Sequence, residues 1–344
     1  MAKRRINLAL QGGGAHGAYT WGVLDRLLEE PEIEIAAISG TSAGALNGAA
    51  VKSGLSHGGS PTKARDHLQA LWEDIGALTD PRLEPWLSLF PLQAIAKTIE
   101  ASPAYVVGER VSQVLSPYDS PLSQTNPLER IVGKFTFDDI CCESGPAFHI
   151  CATNVRSGKI RVFTRDEISV DAIMASACLP TLFRAVEIHD PATGRLEAYW
   201  DGGYTGNPAL FPFFQPDLPN DVVIININPL HREDVPRTGR EIQNRINEIS
   251  FNTSLLRELR AIDFVKRLLE DGKVSPGTMK EVYVHMIADD ALMTQLSVAT
   301  KTVPNPAVLS QLKTAGRAAA ERFLDAHLGD INVCGTVDLR AMFG

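Results

Sequence analysis

The stretch Leu8–Glu30, LALQGGGAHGAYTWGVLDRLLEE, places three glycines between a short apolar run and a segment with helical spacing of its apolar residues. Residues 6–11 predict a short buried strand, and residues 15–30 predict a helix. The same order returns at once, since residues 33–39 predict a second apolar strand and the alanine-rich residues 42–54 predict a second helix. Two successive strand-turn-helix units are typical of an α/β fold with a mostly parallel sheet.

The remainder of the chain extends this α/β pattern. Residues 55–145 are rich in proline and glycine and predict a helical insertion with long loops. Beyond them the sequence predicts strands in AFHICATNV, KIRVFT, DVVIININPL and EVYVHMIA, a hairpin around DPATG, and a C-terminal helix in NPAVLSQLKTAGRAAAERFLDAHLG. We therefore expect one three-layer α/β/α domain over residues 1–344, whose C-terminal helical extension, residues 236–344, carries one further strand.

Composition and charge exclude several classes of protein. The 344 residues are 44% hydrophobic, which is ample for a buried core. Lysine and arginine number 33 against 41 acidic residues, a net charge of −8, and AKRR at the start is the only compact basic cluster, so we expect no nucleic-acid partner. The five cysteines lack the spaced pairs of a zinc site and are expected to be reduced thiols. No apolar run approaches the ~18 residues of a spanning helix, and the one before Gln11 is too short for a signal peptide. We expect a cytoplasmic protein with, at most, peripheral contact with a membrane or lipid surface.

The second predicted strand runs directly into GTSAG, Gly40–Gly44, which has the form G-x-S-x-G. A serine on a tight strand-to-helix turn is exposed on a strained backbone, and small flanking residues let the turn close beneath it. The helix that follows places its positive end near the hydroxyl, which favours a developing anion. Ser42 is therefore a candidate nucleophile. The alternative is a serine that only caps the helix.

The loop GGGAHG is suited to donate backbone hydrogen bonds. Residues without a Cβ let several N–H groups converge on one point at the start of a helix, and a serine nucleophile needs such donors for the oxyanion that it generates. Gly12, Gly13 and Gly14 are the candidates. A phosphate or nucleotide loop is the alternative, but the G-x-x-x-x-G-K-[ST] pattern and the acidic residue of a dinucleotide fingerprint are missing.

A serine hydroxyl also needs a base. Downstream histidines do not lie in small-residue turns that suggest a prepared site. In YWDGGYTGNPAL, by contrast, Asp201 ends a predicted strand and is followed by two glycines, so its carboxylate is expected at a strand end, where active sites of such sheets collect. An Asp-Gly-Gly turn by itself is usually only a turn.

Taken together and in this order, GGGAHG, GTSAG and DGGYTGNP resemble the patatin-like phospholipase family over roughly residues 6–230. The resemblance implies a Ser-Asp dyad, with Ser42 as nucleophile and Asp201 as general base, and an oxyanion hole made by the N–H groups of Gly12, Gly13 and Gly14. It also implies cleavage of acyl esters of phospholipids, lysophospholipids or neutral lipids, without a metal or other cofactor.

His16 departs from the family's pattern, which usually has arginine or lysine at this position. Three interpretations stay open. The imidazole hydrogen-bonds neighbouring backbone; or it replaces a fixed charge by a group of pKa near ~6.5 and so shifts preference away from strongly anionic head groups; or it acts as general base in place of Asp201.

Two further segments bear on lipid binding. PWLSLFPLQAIAKTI, Pro85–Ile99, is rich in large apolar residues and is either a lid over the acyl chain or part of the core. The segment from Glu241 to Glu270 has acidic and basic residues interspersed among Ile242, Ile246, Leu255 and Leu259, and it predicts an ordinary solvated helix packed on the sheet.

The sequence as a whole thus predicts a serine acyl hydrolase acting through an acyl-enzyme on lipid esters. Two other functions stay open. An acyltransferase would share the acyl-enzyme and deliver the acyl group to an alcohol or thiol, and a noncatalytic lipid-binding or regulatory protein could use the same fold. Head group, chain length, oligomeric state and any activating partner are left undetermined.

Overall fold

The computed structural model describes residues 3–79, 90–103, 105–108, 115–119, 126–275 and 277–343. Its strands are β1 Arg4–Leu10, β2 Ile33–Gly40, β3 Ala147–Asn154, β4 Ile160–Thr164, β5 Val186–Asp190, β6 Arg195–Asp201, β7 Asp221–Asn226 and β8 Tyr283–Ala288. Its helices are α1 Gly17–Leu27, α2 Ala43–Leu55, α3 Pro61–Gly76, α4 Leu92–Ala101, α5 Leu128–Val132, α6 Phe137–Cys141, α7 Val170–Ser176, α8 Gly239–Glu270, α9 Asp290–Met293, α10 Val298–Thr302, α11 Pro306–His327 and α12 Leu339–Phe343.

Within the described residues one eight-stranded sheet forms the centre of the molecule, in the order β5-β6-β3-β2-β1-β7-β8, with β4 also paired to β3. The five neighbouring strands β3, β2, β1, β7 and β8 run parallel to one another. Strands β4, β5 and β6 form antiparallel pairs at one side of the sheet. The predicted mostly parallel α/β fold is therefore confirmed. Parallel strands end at one common edge, so the carboxyl ends of β1 and β2 place Gln11 and Thr41 side by side.

Helices cover both faces of the sheet because alternate strand residues point to opposite sides. In β1, Leu8 and Leu10 belong to a core shared with α1, α2, α3 and α11, whereas Ala9 belongs to a second core shared with α8. Helix α1 packs along α11 and is buried over almost its whole length. The result is the three-layer arrangement expected from the sequence.

The described part of the insertion between α2 and β3 is helical, as predicted. Ser60 caps α3, accepting a hydrogen bond from the N–H of Lys63, and proline follows at the first helical position. The candidate lid falls partly outside the described residues, since residues 85–89 are among those left out. In its described part, α4 buries Leu92 and Ile95 in the main core, so these two side chains do not face a lipid.

The segment after β7 is an integral part of the fold. Helix α8 is a single helix of 32 residues, begun by a capping box in which Thr238 and Glu241 bond each other's backbone N–H groups. Leu255 and Leu259 pack on the sheet as predicted. Ile242 and Ile246 lie on the solvated side of α8 and are 43% and 53% exposed.

None of the helices in the described ranges is long and apolar enough to cross a bilayer.

Candidate active site

Ser42 occupies a sharp turn between β2 and α2. Its backbone has φ 53° and ψ −120°, a strained conformation for a residue with a side chain, and α2 begins at the next residue. The turn can close because Gly44 has no Cβ, since one there would collide with the carbonyl oxygen of Leu10. Ser42 is 8% exposed and makes no side-chain cap to its helix, so the capping interpretation is not supported.

The strained turn is held from below by Ser176 at the end of α7. Its hydroxyl accepts a hydrogen bond from the N–H of Ser42 at 2.9 Å and donates one to the carbonyl of Cys151 in β3 at 2.6 Å. The single hydroxyl proton is therefore committed to Cys151, which leaves the oxygen free to accept from Ser42. Sequence reasoning missed this contact, since nothing local in DAIMASACLP assigns its serine to the turn.

The carboxyl group of Asp201 lies beside Ser42 at the end of β6. The Ser42 hydroxyl lies close enough to this carboxyl to lower its pKa, and the N–H of Gly203 donates to its Oδ1 at 2.7 Å. Asp201 is only 1% exposed. Burial raises its pKa to about 7, although the hydrogen bond from Gly203 and the nearby Ser42 hydroxyl act in the opposite direction.

Contacts between the two turns keep the serine and the carboxyl together. The hydroxyl of Thr41 donates to the carbonyl of Gly206 at 2.6 Å, and a Cβ on Gly202 would lie 2.9 Å from Cγ2 of Thr41. The structure therefore brings GTSAG and DGGYTGNP into direct contact, although 159 positions separate Ser42 from Asp201 in the chain.

The glycine loop packs against the same serine. A Cβ on Gly12 would lie 2.8 Å from Cβ of Ser42. The N–H of Gly12, however, donates to Oδ1 of buried Asn207 at 2.7 Å, so the structure does not support the expectation that Gly12 contributes an oxyanion donor. Within the described residues the N–H groups of Gly13 and Gly14 have no acceptor, and they stay candidates for that role.

A layer of buried amide side chains supports the loop from behind. Oε1 of Gln11 accepts from the N–H groups of Ile227 and Asn228 at 2.9 and 3.0 Å, and its Nε2 donates to Oδ1 of Asn252 at 3.1 Å and to the carbonyl of Asn207 at 3.3 Å. Sequence reasoning missed these residues. Their signal was the appearance of amides at the ends of otherwise apolar strands, in LALQ and VVIININ.

His16 is buried and neutral. Its Nε2 lies 2.8 Å from Oγ1 of Thr300, whose own proton goes to the carbonyl of Ser297 at 2.8 Å, so the imidazole must be the donor. Burial lowers the pKa of His16 well below its ordinary value, and the charge of Lys301 lowers it further. Its Nδ1 is buried without a partner. The first interpretation of this residue expected a bond to neighbouring backbone, whereas the partner is the side chain of Thr300, which α10 brings to the imidazole.

The described residues contain no cluster of three or more histidine, cysteine, aspartate or glutamate side chains that could hold a metal ion.

The fold and these side chains define an α/β protein with a buried serine and carboxyl pair at the carboxyl edge of its sheet. The model of the family described as patatin-like phospholipase matches residues 8–214, more than half of the chain. The chain belongs to the patatin-like phospholipase family, as its three motifs predicted.

Two solved structures are similar to the chain. VipD from Legionella pneumophila is 16% identical with a TM-score of 0.43, over 95% of this chain and 68% of VipD. ExoU, solved in a heterodimeric complex with SpcU from the type III secretion system of Pseudomonas aeruginosa, is 17% identical with a TM-score of 0.30, over 99% of this chain and 65% of that one. The chain thus spans about two thirds of the length of these proteins. No curated protein sequence matches it.

Proposed function

We propose that the protein is a serine acyl hydrolase that cleaves fatty-acyl ester bonds of phospholipids or related lipids through an acyl-enzyme. The placement of the Ser42 hydroxyl beside the buried carboxyl of Asp201 carries this proposal, because a serine needs an adjacent base to become nucleophilic. Membership of the patatin-like phospholipase family supports lipid esters as the substrate class.

The proposed reaction begins with ionised Asp201. Its carboxylate takes the Ser42 proton while Oγ attacks the ester carbonyl, and the N–H groups of Gly13 and Gly14 stabilise the oxyanion. The leaving alcohol then takes the proton from Asp201, which leaves the acyl group on Ser42. A water molecule, deprotonated by Asp201, then attacks this ester; as the bond to Ser42 breaks, Asp201 returns the proton to Oγ of Ser42 and the fatty acid is released. A base with a pKa of about 7 is suited to these proton transfers at neutral pH.

The proposed substrate is presented by a lipid surface, so we propose peripheral contact with that surface by a cytoplasmic protein. Neither metal nor cofactor takes part in the proposed steps.

Labelling by a fluorophosphonate tests the nucleophile. We expect wild type to be labelled and Ser42→Ala not to be labelled. Ser56→Ala is the matched control, because Ser56 is a buried serine just past the other end of α2. Labelling of Ser42→Ala at the wild-type level, or no labelling of wild type, would show that Ser42 is not the nucleophile.

Product analysis separates hydrolysis from transfer. With a phospholipid substrate and a competing alcohol we expect mainly free fatty acid, released by wild type and not by Ser42→Ala. Acyl transfer to the alcohol as the main product would identify an acyltransferase instead. Binding of lipid without any turnover would favour a noncatalytic protein.

A further inference from the structure

A lysine from the C-terminal part of the chain lies behind the glycine loop. Lys301, in α10, donates from Nζ to Oδ1 of Asn228 at 2.9 Å. Its backbone also contacts the loop, because a Cβ on Gly14 would collide with the carbonyl oxygen of Lys301. Gly14 has no Cβ and adopts φ 58°, which favours glycine, and it thus lets α10 approach the loop closely.

The lysine fixes the orientation of the Asn228 amide. An ammonium group can only donate hydrogen bonds, so the atom of Asn228 that faces it must be the amide oxygen. The Nδ2 group then points the other way and donates to the carbonyl of Gly12 at 2.8 Å and to Oε1 of Gln11 at 3.1 Å. Asn228 is fully buried, so its amide has both its oxygen and its nitrogen committed to protein partners.

The Gly12 carbonyl accepts its shorter bond from Nδ2 of Asn228 and a longer one, at 3.4 Å, from Nδ2 of Asn207, and its direction determines where the next N–H points. The carbonyl of Gly12 and the N–H of Gly13 belong to one planar trans peptide and point in opposite directions. Holding that carbonyl against Asn228 therefore turns the Gly13 N–H to the opposite side, where it has no acceptor among the described residues. A positive charge on Lys301 also polarises the amide of Asn228 and strengthens its bond to Gly12.

We propose that Lys301 and Asn228 are positioning residues, which hold the Gly12–Gly13 peptide so that the Gly13 N–H is available to a substrate oxyanion. The cation beside the glycine loop then comes from α10 and not from residue 16, where this chain has a neutral histidine. The inference rests on the proposed function for its catalytic consequence, but the geometry of the peptide can be tested without turnover.

The first test is an NMR measurement of that peptide. Four Gly-Gly peptides occur in the sequence, at 12–13, 13–14, 58–59 and 202–203, so labelling glycine with both ¹³C′ and ¹⁵N leaves only these four signals in an HNCO spectrum. In Lys301→Met and in Asn228→Asp we expect the Gly12–Gly13 signal to move. Asn228→Asp keeps an acceptor for Lys301 and loses the donor to Gly12. The Gly58–Gly59 signal, from an exposed turn, should stay in place.

The second test separates binding from catalysis in lipid-ester hydrolysis. We expect Lys301→Met to lower kcat about tenfold with KM changed less than about twofold, because loss of an oxyanion donor itself costs about 10²–10³ and this variant only misplaces one. The same split is expected for Asn228→Asp. Lys313→Met is the matched control and should leave kcat unchanged, since Lys313, in α11 against Trp21, is a half-buried lysine whose pKa burial lowers, as burial lowers that of Lys301.

An unmoved Gly12–Gly13 signal in folded Lys301→Met would overturn the inference, as would a loss confined to KM. If Lys301→Met fails to fold, Asn228→Asp decides the matter by the same two readouts. Should wild type prove inactive on every ester, the proposed function fails, and the NMR measurement still decides whether Lys301 and Asn228 hold the peptide.

Discussion

Asp201 determines the pH dependence expected of the proposed reaction. Its carboxylate must be ionised to accept the Ser42 proton, and burial raises its pKa to about 7. Activity should therefore be constant at alkaline pH and fall about tenfold per unit below pH 7. The rate of fluorophosphonate labelling between pH 5 and 9 measures this limb without a lipid surface.

Glu258 provides the control for this assignment. It is another carboxyl whose pKa burial raises to about 7, and it accepts hydrogen bonds from the N–H groups of Leu210 and Phe211. In Glu258→Gln the labelling rate should fall below the same pH as in wild type. If the limb moves in this variant, Asp201 is not the group that titrates.

The same raised pKa has a consequence for stability. A carboxyl that binds its proton more tightly in the folded state stabilises the fold at low pH, and this contribution is lost as pH rises from about 4 through 7. Asp201→Asn should therefore raise the free energy of unfolding at pH 8, by at most about 4 kcal/mol for a shift of about three units, and by little at pH 4. Urea unfolding at the two pH values tests this, and equal effects at both would contradict it.

His16 is a poor site for a fixed charge in this chain. Its side chain is buried, and the charge of Lys301 acts on it. His16→Arg should lower the free energy of unfolding by about 3 kcal/mol or more, because it buries an unpaired cation near another. Urea unfolding measures the loss, and His16→Gln, which keeps a neutral donor for Thr300, should lose clearly less. A stable arginine variant would reopen the head-group interpretation, since its activity on anionic and neutral esters could then be compared.

Among the structural elements, the sequence predicted those whose formation depends on residues that are neighbours in the chain. Strands β1 and β2, helices α1 and α2 and the turn at Ser42 follow from apolar periodicity and glycine placement over the first 55 residues. The supports of the site could not be predicted in this way. Ser176, Asn228 and Lys301 reach it through tertiary contacts, and their types, a hydroxyl, an amide and an amine, occur equally often on surfaces.

The exposed and buried faces of helices were predictable only where the sheet lies beneath them. In α8 the apolar residues Leu255 and Leu259 contact strands, whereas Ile242 and Ile246 lie where α8 has no apolar core beneath it. The periodicity of apolar residues predicts which side of a helix is apolar. It does not predict how much of that side is covered by other parts of the protein.

The crossing of α1 and α11 depends on a glycine that helix propensity would disfavour. A Cβ on Gly316 would collide with the carbonyl oxygen of Tyr19, so the two helices touch through their backbones. Alanine in place of glycine normally favours a helix by about 1 kcal/mol. Gly316→Ala should instead lower the free energy of unfolding by about 1–3 kcal/mol, since the helices must move apart.

Gly239→Ala is the comparison for this prediction. Gly239 is also helical, in α8, and a Cβ there would meet no atom within 4 Å. Urea unfolding should show no loss for this variant. Equal stability of Gly316→Ala and wild type would mean that α1 and α11 adjust without cost.

The molecule as a whole extends well beyond the residues matched by the family model. That match ends at residue 214, before β7, which pairs with β1 in the middle of the sheet, and before α11, which covers α1. A fragment of residues 1–230 would expose the outer edge of β7 and the buried face of α1. It would also lack Lys301, and with it the contact of α10 on the glycine loop.

Such a fragment is therefore expected to fail as a folded unit. We predict that residues 1–230 are either insoluble or bind a hydrophobic dye without a cooperative thermal transition, since an exposed apolar core and an open parallel strand favour aggregation. Removal of residues 339–344 alone is the control, because it deletes only α12, and it should lower the transition temperature while leaving a cooperative transition. If the 1–230 fragment instead unfolds cooperatively and is labelled at Ser42, then the catalytic pair assembles without α10, and the glycine loop needs neither Lys301 nor the C-terminal helices to hold its shape.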